Sequence, residues 1–158
     1  IDFSMFWQGV AKRDLWLDGP MFWGISGGEW QSTGLKEHLD YYRPENTTSV
    51  FGPNTNAYFP KMYMSKDMNQ KVQTRYLQNG AYARLKNIQL GYTFPTQIIN
   101  KLHMQKLRVY VSAENVLTIT SLPSGFDPET TYSNYSDGNS GKTYPLQTTI
   151  SFGLNATF

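Results

Sequence analysis

Trp7, Trp16, Trp23 and Trp30 all fall within the first thirty residues of the 158-residue chain. Flat indole faces suit stacking on pyranose rings. Trp23 and Trp30, in a Gly-rich stretch, are the candidate substrate-binding residues. The competing reading is anchoring at a membrane interface and packing within loops. Other chemistry is thin. His38 and His103 lie far apart and form no His-Glu-x-x-His pattern. Asp137-Gly-Asn-Ser-Gly141 hints at a calcium loop but lacks the third carboxylate and the closing Glu. Asp40 and Glu45 have no evident partner, and Arg84, Lys86, Arg108 and Glu114 suggest a charge network. No phosphate-cradling loop, nucleophile elbow or paired carboxylates has a credible context. The sequence predicts no catalytic residue, no metal site, no cofactor and no enzyme.

Composition narrows the classes. Lys plus Arg is 14 and Asp plus Glu is 12, a net charge of +2. So small and scattered an excess leaves no footprint for nucleic acid. With no cysteine, disulfide scaffolds, thiolate metal sites and thiol nucleophiles are excluded. No apolar run reaches the ~18 residues of a membrane-spanning helix. The mean hydropathy of −0.50 suits a soluble β protein or a membrane β-barrel, whose strands alternate apolar and polar residues.

Four segments alternate with the period of a strand. In 1–10, Ile1, Phe3, Met5 and Trp7 share a face, with Phe6 the exception among the polar set. In 81–94, Ile88, Leu90, Tyr92 and Phe94 share a face. Arg84 and Lys86 have the same parity as Ile88, so either a bulge shifts the register or these two lie beyond the apolar band. In 106–119, Leu107, Val109, Val111 and Ala113 face one way. In 146–158, Ile150, Phe152, Leu154, Ala156 and Phe158 alternate with Thr, Ser, Gly and Asn. Residues 11–80 and 120–145 carry the turn signals of long loops, with a short helix suggested near 33–40. A structureless loop as long as 11–80 is abnormal in a compact domain; such loops are usually lids or binding surfaces. A short connection occupies 95–105, where Pro95 ends a strand and Thr96 could cap a helical turn.

Membrane-barrel strands need ~9–11 residues and alternate short turns with long loops. These four fit, with 95–105 as a periplasmic turn and 11–80 and 120–145 as extracellular loops. Four strands cannot close a barrel, which begins at about eight, and an open edge in lipid leaves backbone groups unsatisfied. Other strands must complete it, from the same protein or from copies in a ring. A strand pattern starting at Ile1 with no lead-in suggests a chain that begins partway through something larger. Two alternatives stay open: a soluble β-sandwich binding carbohydrate through Trp23 and Trp30, and a protomer of a ring-forming β-barrel pore.

Gly80-Ala-Tyr-Ala-Arg-Leu-Lys-Asn-Ile-Gln-Leu-Gly-Tyr-Thr-Phe-Pro95 and Lys106-Leu-Arg-Val-Tyr-Val-Ser-Ala-Glu-Asn-Val-Leu-Thr118 resemble hallmark segments of the SusC/RagA-type TonB-dependent outer-membrane transporters. Gly125-Phe-Asp-Pro-Glu129, Tyr144-Pro145, Ile1–Gly9 and His38-Leu-Asp-Tyr-Tyr-Arg-Pro-Glu-Asn46 fit in the same order. The resemblance is looser in 11–37 and 47–79. It implies an all-β fold: the C-terminal strands of a large antiparallel transmembrane barrel of the 22-stranded, plugged class. It implies import of glycans or peptides across the bacterial outer membrane. The implied partners are the rest of the barrel and its plug, a SusD-like surface lipoprotein, membrane lipid, and TonB reached through an N-terminal part outside this sequence. It also implies that Ile150, Phe152, Leu154, Ala156 and Phe158 form a barrel-assembly signal, over and above plain lipid-facing packing.

Overall fold

The computed structural model describes residues 1–27, 34–63, 69–131 and 140–158. Its elements run β1 (Asp2–Val10), β2 (Asp14–Leu15), α1 (Gly19–Trp23), β3 (Gln78–Asn79), β4 (Tyr82–Thr93), α2 (Thr96–Ile99), β5 (Lys106–Thr120) and β6 (Thr149–Thr157). Short 3-10 turns occupy Gly24–Gly27, Lys36–Leu39, Thr74–Tyr76 and Asn100–Leu102. No helix among the described residues is long and apolar enough to cross a membrane. The chain divides into two compact units. One comprises Ile1–Arg13, Gly80–Ser121 and Leu146–Phe158; the other comprises Asp14–Asn79 and Leu122–Pro145.

The first unit is an antiparallel sheet in the order β1-β4-β5-β6. Its register sorts side chains into rows. Phe3, Leu90, Val111 and Phe152 stand opposite one another, as do Met5, Ile88, Ala113 and Ile150. Tyr92, Val109 and Leu154 make a third row, and Leu107 with Ala156 a fourth. Alternate residues point to opposite faces, so these rows form one apolar face. The other face carries Ser4, Gln89, Ser112 and Ser151 in one row and Thr93, Arg108 and Asn155 in another.

The phase conflict at Arg84 and Lys86 is resolved by a bulge. The β1 ladder steps from Phe6 opposite Asn87 to Trp7 opposite Leu85, and the β5 ladder from Glu114 to Leu117. One residue inserted at Lys86 reverses the parity of what precedes it. Leu85 and Ala83 thereby join the face of Ile88 and Leu90. Arg84 moves to the polar face, where its Nε donates to Thr118 Oγ1 at 2.8 Å. On β5 the irregularity is taken up at Asn115, whose φ is +52°. Asn115 Nδ2 donates to the Gln147 carbonyl at 3.1 Å, and Thr148 Oγ1 donates to the Asn115 carbonyl at 2.9 Å. These side-chain bonds replace ladder bonds there, so β6 begins at Thr149 rather than at 146.

Between β4 and β5 the connection is brief. Phe94 N–H still donates to Leu107 O, while Pro95 lacks a donor, and α2 with the following 3-10 turn reverses the chain. The second unit overturns the expectation of a structureless 11–80. Leu15, Leu17, Phe22, Trp23, Phe59 and Tyr76, together with Leu122 and Phe126, form a hydrophobic core. β2 pairs with β3. In place of a helix over 33–40 there is a single 3-10 turn at Lys36–Leu39.

Candidate functional site

Among the described residues nothing covers the apolar face of β6. Phe152 is 85% exposed, and Ile150 and Leu154 are more than half exposed. This is the opposite of a sandwich, whose inner stripe would be packed under a second sheet. Two of the apolar rows run across all four strands, so the pattern belongs to the sheet and not to one strand. β1 and β6 each have one partner strand, leaving two edges whose backbone donors and acceptors await neighbours.

The opposite face holds an organised polar cluster. Arg108 donates from Nε to Asp2 Oδ1 at 3.2 Å and from Nη2 to Asp2 Oδ2. The guanidinium carbon lies 5.0 Å from the Tyr110 ring centre. Asp2, Gly91, Tyr110 and Gly153 are in register. A Cβ on Gly91 would sit 2.7 Å from both Asp2 carboxylate oxygens, and one on Gly153 would overlap the Tyr110 ring. Two glycines thus make the room that the ion pair and the ring occupy. The sequence suggests a charge network of Arg84, Lys86, Arg108 and Glu114; the structure pairs Arg108 with Asp2. A signal existed in the two glycines placed within strands, where they mark close approach.

In the second unit a cleft of about 410 Å³ opens beside the core. Local sequence explains its inner wall. Asp18 Oδ1 accepts from the Gly19 N–H at the start of α1, with Pro20 in the first turn. Gly24 ends α1 at φ +60°, and its missing side chain lets the His38 ring close in: a Cβ there would lie 2.9 Å from Nδ1. The His38 Nδ1 accepts from Leu35 N–H at 3.0 Å, and Nε2–H donates to the Phe22 carbonyl at 3.1 Å. Both ring nitrogens are engaged with backbone, so His38 is a structural strut. Asp40, expected to lack a partner, accepts from Asn54 Nδ2 at 2.8 Å and from Tyr58 N–H at 3.1 Å.

The expected sugar-stacking role of Trp23 is corrected by its position. Its side chain is in the core, 2% exposed. Phe22 and Tyr76 meet it edge-on at 5.1 and 5.0 Å, and its Nε1–H donates to Leu17 O at 3.2 Å. No ring face is open to a ligand. Trp30 lies outside the described residues, as do Asp137, Gly138 and Asn139 of the possible calcium loop. Ile150, Phe152, Leu154 and Ala156 share the apolar face of β6, and Phe158 follows the strand, exposed.

Comparison with known proteins agrees with the geometry. No family model matches the chain. The TonB-dependent receptor P3 of Formosa agariphila is 36% identical over 112 residues, covering 66% of this chain. The TonB-dependent receptor P26 of the same organism is 26% identical along the whole of it. The chain belongs to the TonB-dependent receptors. It spans 11% of the length of P3 and 16% of that of P26. Among solved structures, the RagAB peptide importer in its open-open state matches over 99% of this chain and 15% of its own, with a TM-score of 0.62 and 22% identity. That likeness establishes the fold. The sheet of this receptor segment therefore has the antiparallel strand fold of these barrel proteins.

Proposed function

We propose that this segment forms the C-terminal wall and part of the extracellular mouth of a TonB-dependent importer in the bacterial outer membrane. The observation that carries the reading is the set of apolar rows on one face of a four-stranded sheet, exposed at Phe3, Met5, Ile150, Phe152 and Leu154, whose other face is polar. Lipid outside and water inside account for that division. The short 95–105 connection is then periplasmic. The second unit, built from the two long connections, is extracellular and meets the cargo first.

In this reading the wall does no chemistry. Its polar face borders the path that opens when the plug moves, and energy arrives through TonB. The cargo is a peptide or glycan and the mouth is shared with a SusD-like lipoprotein. Support comes from the receptor relatives and from the structural match to a peptide importer. β6 and the aromatic Phe158 serve as the segment read by the barrel-assembly machinery.

The test is thiol labelling in intact outer membranes of the full receptor. This segment contains no cysteine, so an introduced thiol is its sole one. A water-soluble maleimide should modify Ser112→Cys and Ser151→Cys and spare Phe152→Cys and Val111→Cys. Equal labelling at all four would sink the assignment of faces.

A further inference from the structure

The cleft of the second unit is lined by Phe22, Leu35, Tyr58 and Phe59 together with Glu37 and Asp40. Among the described residues no lysine or arginine lines it. Asp40 is held in place by Asn54 and Tyr58, as described. The Glu37 carboxylate is exposed and has no hydrogen bond or ion pair among the described residues. Tyr58 is itself fixed, its hydroxyl accepting from Gln78 Nε2 at 3.0 Å. At about 410 Å³ the cleft falls within the roughly 300–1,000 Å³ of small-ligand sites.

We infer that this cleft is a subsite for a lysine or arginine side chain of a peptide cargo. The inference rests on the importer reading and adds the class of cargo residue. An apolar wall receives the methylene stem of a basic side chain while its head stays at a polar rim. Charge complementarity chooses the head group: Glu37 has no ion pair among the described residues, and Asp40 is a second anion already oriented. A cation there gains charge-assisted hydrogen bonds. A neutral sugar would need a denser set of donors and acceptors than these mainly apolar walls provide.

The experiment uses the purified full receptor in detergent and two probes. They are acetyl-Gly-Gly-Lys-Gly-Gly-amide and the same peptide with norleucine at the centre, with titration calorimetry as the readout. The lysine peptide should bind about ten-fold more tightly, about 1.4 kcal/mol. Glu37→Gln, an exposed and isosteric change, should bring that ratio close to one without altering the thermal midpoint. Leu35→Trp, which fills the cleft, should weaken both peptides. Equal or undetectable binding of the two peptides, or a preference that survives Glu37→Gln, overturns the proposal. So does tighter binding of maltohexaose than of the lysine peptide, if it is lost in Leu35→Trp. If the thiol pattern of Phe152→Cys and Ser151→Cys holds while the lysine preference is absent, only the cleft assignment falls. If that pattern collapses, the importer wall falls with it.

Discussion

Arg108 reaches across β4 to Asp2, and the residue it passes over is Gly91. The pair links the first and third strands of the sheet without touching the side chain of the second, because there is none. Gly91→Ala should therefore lower the temperature at which the full receptor loses its compact, heat-modifiable form on gels. The same change in an Asp2→Ala, Arg108→Ala background should do much less. Additive effects would mean that Gly91 matters for some reason other than this pair.

Position 152 offers a sharp contrast with its neighbour. Phe152 and Ser151 are adjacent yet face opposite ways, in rows with Val111 and with Ser112. An arginine on the lipid side near the midplane costs about 2–4 kcal/mol. Phe152→Arg should thus depress refolding of the receptor into lipid vesicles, measured by urea titration, whereas Ser151→Arg should leave the midpoint nearly unchanged.

Trp23 is a core residue, so its replacement should act on stability and not on ligand contact. Trp23→Ala removes a large buried ring, a change worth about 3–5 kcal/mol. Trp23→Phe keeps most of the packing and strands the Leu17 carbonyl, at about 1–3 kcal/mol. Limited proteolysis of the intact receptor should cut within 14–79 most readily in Trp23→Ala, less in Trp23→Phe and least in the parent protein.

Asn115 sits in the left-handed region beside the bulge. Asn115→Gly keeps that backbone and loses the bond to Gln147. Asn115→Val meets the added strain of a branched residue there, of order 1–3 kcal/mol. The valine variant should reduce the amount of heat-modifiable receptor in the outer membrane well below the glycine variant.

Phe158→Ala tests the assembly role. The amount of receptor inserted in the outer membrane, read by surface proteolysis of cells, should fall several-fold. Thr157→Ser, on the polar side of the same strand, should have little effect. Equal levels for both would remove that role from Phe158.

The strands were legible because alternation is a local property: Ile150, Phe152, Leu154 and Ala156 announce a face with no knowledge of neighbours. The bulge was legible as a choice, since Arg84 and Lys86 broke the parity, but choosing needed the partners Phe6, Trp7, Glu114 and Leu117. The ion pair of Asp2 and Arg108 was invisible because it depends on the register of three strands. The core of the second unit was missed because Leu17, Trp23, Phe59 and Tyr76 follow no period. They hang on short 3-10 turns and irregular backbone among Gly and Pro. The density of aromatic residues there is the available sign, and it suits both ligand stacking and packing within loops; at Trp23 it marks packing.

The two long connections contribute to a single core, Leu122 and Phe126 from the later one filling against residues of the earlier one. Grafting either connection alone onto a related barrel would leave an apolar half-site facing solvent. A change of cargo preference by recombination should therefore succeed when 14–79 and 122–145 travel together as one cassette, and chimeras that exchange only one should be poorly folded.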